Sequence, residues 1–163
     1  MTIQSQTETL QWVGVGAGKM VLRGRPKHKL IPQLTTLGCS RVVTLLSERE
    51  GGKELGEIIQ AAGLAWTWLP LSNVRYPEGA TQDMLIAALP MLSSYLDNGD
   101  AILIHCSAGI HRTGMVAYGL LRWRGYSQAE ARAAIAAMRG FTAQGMLPHH
   151  FAWGDDLVQQ ASK

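Results

Sequence analysis

The chain has 163 residues, 47% apolar and 17% charged, with a formal charge of +3 and two cysteines. That length and composition suit a single folded domain over 1–163 and exclude a disordered chain. The slight positive balance favours an anionic substrate but falls short of a nucleic-acid-binding composition, and two cysteines make no disulfide framework, so a cytoplasmic setting is expected.

The opening MTIQSQTETLQW is polar, without an apolar core, and reads as a flexible segment over 1–10 rather than a secretory signal. Trp12–Val15 and Met20–Leu22 flank GAGK and predict a hairpin. HKLIPQLTTLG reads as a short helix ending at Gly38, followed by the strand SRVVTLLS. Lys53 to Ala62 has amphipathic spacing and is closed by Gly63. LAWTWLPL is a further strand and SNVRYPEG a loop. Thr81 can cap a helix to about Leu96, bent at Pro90. MLIAALPMLSSYL, within it, is too short and polar to span a bilayer, so no membrane association is expected.

Asp97 to Asp100 is a turn, and AILIH is a continuous apolar run, as for a central strand of a parallel sheet. Thr113 to Trp123 is helical. Ser127 and Glu130 make a capping box for SQAEARAAIAAMR, and a last helix runs from about His149 to Gln160. Strands alternating with helices, then a helical C-terminal third, predict an α/β fold: a central mostly parallel sheet flanked by helices.

Chemistry concentrates in His105–Gly114, HCSAGIHRTG, between AILI and MVAYGLLRW. Small residues at Ala108 and Gly109 let the amides of Ser107, Ala108, Gly109, Ile110 and His111 turn inward. Such a nest, ending at a helix N-terminus, binds a tetrahedral oxyanion. Cys106 lies at its base, in the kind of setting that lowers a cysteine pKa from about 8.5 to roughly 3.5–7.5 and makes a nucleophile. Arg112 offers a planar fork for two phosphoryl oxygens. A nucleophile beneath phosphorus with donors around it describes in-line phosphoryl transfer. Thr113 can hydrogen-bond the thiolate, and His105 can order the loop backbone.

These residues resemble the signature loop of the cysteine-dependent protein tyrosine phosphatases, in which a histidine precedes C-x5-R-[ST]. A weaker likeness over Val21 to Phe151, including RGRP and the GCSRVVTLL strand, resembles the small dual-specificity phosphatases, especially the kinase-associated and Cdc14-like branch. The resemblance implies a dual-specificity phosphatase-like fold and a cysteinyl-phosphate intermediate, with no metal or cofactor. It implies phosphorylated proteins or peptides as substrates; a monomer is expected. The loop positions where lipid-directed relatives often carry lysine hold Ser107, Ala108, Ile110 and His111, which disfavours a lipid.

The resemblance also implies a general-acid aspartate upstream, and LPLSNVRYPEG contains none. Asn73, or Ser72, occupies the expected place, and asparagine has no catalytic proton to give. Glu78 is then the surrogate acid, with Asp83 a more distant candidate. Alternatively, the enzyme works without an acid on good leaving groups, or the loop binds phosphate without turnover. Losing the acid lowers rates ~10²–10⁴-fold.

Elsewhere Cys39 reads as structural, with a redox partnership to Cys106 the lesser alternative. GVGAGK lacks the ending and the following helix of a nucleotide-binding loop. Arg23, Arg25, Lys27, His28 and Lys29 form the densest basic cluster: a solvated face, or a means of recruiting an acidic partner near the pocket. His149 and His150 lack ligand-type neighbours for a metal. The resemblance implies that GFTAQGMLPHHF approaches the active site, where Gln144 or His149 could position water. Trp66, Trp68, Trp123 and Trp153 read as packing residues.

Overall fold

The computed structural model describes residues 9–161, so most of the segment expected over 1–10 lies outside it. Two short strands, β1 (Val13–Val15) and β2 (Gly18–Arg23), form the predicted antiparallel hairpin. Its turn holds Gly16 at φ 60°. The stretch predicted as a helix before Gly38 is only a 3-10 turn, Ile31–Gln33, flanked by further turns. Pro32 sits at its start, and no side chain caps it.

Strand β3 (Arg41–Thr44), helix α1 (Gly52–Ala61) and strand β4 (Ala65–Trp68) follow. Helix α2 spans Gly79–Asp97 and runs through Pro90. It begins two residues before the predicted cap: Thr81 lies inside it, and the N-cap position belongs to Glu78, whose side chain makes no capping bond. Then come β5 (Ala101–His105), α3 (His111–Trp123) and α4 (Gln128–Met138), the last opened by the Ser127/Glu130 capping box. A short α5 (Gly140–Gly145), which the sequence reading does not contain, precedes α6 (Pro148–Ala161).

The sheet order is β1-β2-β5-β3-β4, with every pairing parallel except the β1–β2 hairpin. Strand β5 is central and buried at every residue, as an unbroken apolar run requires. Alternate side chains divide between two cores. Val21, Val42 and Leu103 pack with α1 and the 3-10 turn, whereas Met20, Leu22, Val43, Ile102 and Ile104 pack with α2 to α6. The second layer centres on α3, whose residues 112–121 are all buried. This layering aims the C-terminal end of β5 at the edge where the loop to α3 begins. Trp153 is buried and Trp66 stacks on Trp68 at 5.7 Å, but Trp123 is 42% exposed, contrary to its reading as a packing residue.

Candidate active site

The loop between β5 and α3 is held from outside by its carbonyls, while the Gly109 amide faces inward. Arg25 N–H donates to Ser107 O at 2.9 Å. Arg139 Nη1 donates to Ala108 O (2.8 Å) and Gly109 O (3.0 Å), and the Thr142 hydroxyl also donates to Gly109 O. Inside, Gly109 N–H donates to Cys106 Sγ at 3.3 Å. No side chain caps α3, so its N-terminal amides keep their capacity for an anion. Gly109 is obligatory here: its φ is 72°, and a Cβ would lie 2.2 Å from the carbonyl carbon and oxygen of Arg23.

His105 orders the backbone, as its position predicts. Cys106 O can only accept, so His105 Nδ1–H donates to it (3.1 Å) and Nε2 accepts from the Thr44 hydroxyl (2.8 Å). Thr44 in turn accepts from Trp66 Nε1–H at 2.8 Å. Burial, the largest cause, holds the imidazole pKa down at about 4, so the ring is neutral at physiological pH.

Arg112 is clamped by a residue the sequence reading missed. Its Nη1 and Nη2 donate to the two carboxylate oxygens of Glu50 at 2.6 and 2.9 Å, and Nη1 also reaches Leu71 O at 2.7 Å. Glu50 is itself held by the Ser47 amide and hydroxyl, at 3.1 and 2.9 Å. The Arg112 hydrogen bond, with smaller help from Ser47, lowers the Glu50 pKa to about 2, and the same pair raises that of Arg112. The only sequence signal is the S-x-x-E spacing of Ser47 and Glu50 ahead of α1, which reads as a local capping box. The carboxylate makes that local bond to the Ser47 amide and also takes both bonds from the arginine.

The Thr113 hydroxyl is buried with no hydrogen-bond partner among the described residues, and the bond to the Cys106 sulfur comes from the Gly109 amide. Downstream of Leu71, the segment expected to carry the acid lines a cleft of about 210 Å³ that includes Asn73, Tyr76, Glu78 and Met115. The Asn73 side-chain oxygen Oδ1 accepts from Arg75 N–H at 3.0 Å, which ties this side chain into its own turn. Tyr76 anchors the segment by donating to Asp156 at 2.6 Å. Glu78 thus shares a cleft with the position it would replace, whereas Asp83 lies outside that lining.

The segment after α4 does return to the loop. A Cβ on Gly145 would lie 2.5 Å from Ile110, and His111 stacks on His150 at 4.9 Å. His149 lies 4.2 Å from His150 and is exposed, as is Gln144. Cys39 lies in the core on the α1 side of the sheet and Cys106 in the other. Its thiol donates to Arg41 O at 3.3 Å, and burial, as the largest cause, pushes its pKa up to about 11. That arrangement gives the redox pairing no support.

A cysteine at the base of an amide-lined loop, with a clamped arginine opening the next helix, defines a cysteine-based phosphatase of the dual-specificity class. Three solved structures share the fold. They are the kinase associated phosphatase KAP with its catalytic-site cysteine changed to serine (15% identity, 96% of this chain and 98% of that one, TM-score 0.74); PTPMT1 in complex with PI(5)P (17%, 93% and 97%, 0.73); and the core catalytic domain of the PP-IP phosphatase SIW14 from S. cerevisiae (18%, 94% and 91%, 0.64). Residues 15–126 match the family described as Tc-R-P, polymorphic toxin system, DSP-PTPase phosphatase, and the chain belongs to that family.

Proposed function

We propose that the protein hydrolyses aryl phosphate monoesters, protein phosphotyrosine foremost, through a cysteinyl-phosphate intermediate. The observation that carries this reading is the loop itself, with Cys106 Sγ at its base and Arg112 held by Glu50 and Leu71 O. The Cys106 thiolate attacks phosphorus, and the bond from phosphorus to the ester oxygen breaks. Loop amides from Ser107 to His111 and the Arg112 fork take up the equatorial oxygens. Water then attacks phosphorus, the sulfur–phosphorus bond breaks, and inorganic phosphate leaves with the thiolate restored. The buried Thr113 hydroxyl is the local donor for that departing thiolate once it rotates.

Asn73 supports the choice of aryl esters, because a phenolate departs with little help from an acid, whereas an alkoxide needs a proton. Glu78 supplies that proton where one is needed. The return of α5 and α6 to the loop supports a place near the kinase-associated and Cdc14-like branch, in which Gln144 or His149 would position the hydrolytic water. A monomer acting on phosphorylated proteins in the cytoplasm completes the reading.

Phosphate release from p-nitrophenyl phosphate, followed over roughly pH 4.5 to 8, tests it with wild type, Cys106→Ser and Glu78→Gln. The expected result is turnover by wild type and none by Cys106→Ser; loss of the basic limb in Glu78→Gln identifies Glu78 as the acid, and a profile matching wild type means that this ester leaves without it. An inactive wild type that still binds phosphopeptide means a phosphate-binding module instead.

A further inference from the structure

Two polar side chains of the α4–α5 region fasten helix α5 to the catalytic loop. Arg139, at the N-cap position, donates through Nη1 to Ala108 O and Gly109 O. The buried Thr142 hydroxyl donates to Gly109 O. Between these two anchors, only Gly140 and Phe141 intervene. Phe141 is 63% exposed, the most exposed of the large apolar residues described, and it packs with neither core.

Its ring is nevertheless oriented. The Arg139 guanidinium lies over it, 5.3 Å from the centroid, so the group that holds the loop also holds the ring. Gln144, three positions on and exposed as well, shares its face of the helix, whereas Thr142 points into the protein. Adjacent Cα atoms are about 3.8 Å apart, so Phe141 is one residue from a group that touches the loop. An extended peptide rises about 3.3 Å per residue. The side chain next to a phosphorylated residue seated in the loop is therefore of the right order of distance to meet this rim.

We propose that Phe141 is a specificity-determining residue, whose ring packs against an apolar side chain adjacent to the phosphotyrosine of a peptide substrate. The inference rests on the phosphotyrosine reading above and adds to it the sequence context that the site prefers. An aromatic ring held from one side by a fixed cation offers a rigid apolar surface, which loses little side-chain freedom on binding. The loop amides and Arg112 hold the phosphate, and they are indifferent to the neighbouring residue. Phe141 supplies the discrimination that they lack.

The test compares kcat/KM for two phosphotyrosine peptides that differ only in carrying leucine or glycine on both sides of the phosphorylated residue. Wild type is expected to favour the leucine peptide by about three- to tenfold, the size of one such apolar contact. Phe141→Ser is expected to bring the ratio close to one. A wild-type ratio near one overturns the assignment, and so does a preference that Phe141→Ser leaves intact, including through an equal fall with both peptides. If phosphatidylserine vesicles bind wild type but not Phe141→Ser while the peptide ratio is one, the ring serves a membrane surface instead. In each of these cases turnover of the peptides leaves the phosphatase reading standing. Hydrolysis of p-nitrophenyl phosphate but of neither peptide removes the protein substrate together with this role for Phe141. If nothing is hydrolysed, both readings fall.

Discussion

Glu50 decides how firmly Arg112 is presented to a phosphate. Both its oxygens are engaged by the guanidinium, and its pKa of about 2 keeps the pair ionised across any practical assay range. A carboxylate whose folded pKa is depressed contributes stability above its unfolded value of 4.5, and that contribution is lost only as the pH falls through about 2. Replacing it by glutamine keeps the shape and removes the charge. Glu50→Gln should lower kcat/KM for an aryl phosphate by about 10–100-fold, the range typical of residues that orient others, with steady-state kinetics as the check. At Gly109, alanine would need both a left-handed backbone and space already filled by Arg23. Gly109→Ala should therefore abolish turnover, read in the same assay. Asn73→Asp restores a carboxyl group where the resemblance expects one. It should raise turnover of an alkyl phosphate by at least about tenfold while changing p-nitrophenyl phosphate much less; equal effects on both would remove the explanation offered for aryl preference.

Between elements, close packing of α3 against α6 sets the position of the loop. A Cβ on Gly119 would lie 2.3 Å from the Trp153 ring, and Trp153 is 1% exposed. Overfilling so tight a contact costs about 1–3 kcal/mol, so Gly119→Ala should lower the unfolding midpoint measured by denaturant titration. Most elements were legible because their signals are local. The apolar run AILIH, the Ser127/Glu130 box and the Gly63 stop depend on neighbours within a few residues. Helix α5 was not legible: its six residues carry two glycines and no side-chain cap, and it exists through contacts with the loop, such as Gly145 against Ile110. The 3-10 turn at Ile31–Gln33 shows the converse, a helical apolar spacing that ends within one turn on the α1 face of the sheet.

Across the whole molecule, the parallel sheet separates the nucleophile from the second thiol. Cys39 and Cys106 serve opposite faces, and the Cys39 pKa of about 11 leaves it protonated at neutral pH. The same layering buries His105 as a neutral ring. Its folded pKa of about 4 lies below the unfolded value of 6.5, so between these the unfolded chain binds the extra proton. Stability is then fully present above pH 6.5 and falls toward pH 4, by about 1.4 kcal/mol per pH unit from this one group where the slope is full. Chemical unfolding at a series of pH values should show that loss, and stability unchanged between pH 6.5 and 4.5 would contradict the neutral buried assignment.

What the sequence by itself determined is whatever short-range chemistry encodes. The loop from Cys106 to Arg112, its strand and helix, the order of most elements and the absence of aspartate from LPLSNVRYPEG need no third dimension. Tertiary structure alone decided which distant groups meet that loop. Glu50 reaches Arg112 from 62 positions away, and Arg139 and Thr142 reach Gly109 from 30 and 33. Thr44 reaches His105 from 61. A carboxylate or a guanidinium on the surface of a chain looks the same in sequence whether it faces water or an active-site arginine. Only the fold brings one to its partner, because parallel pairing of β3 and β2 with β5 places the ends of all three strands at the same edge.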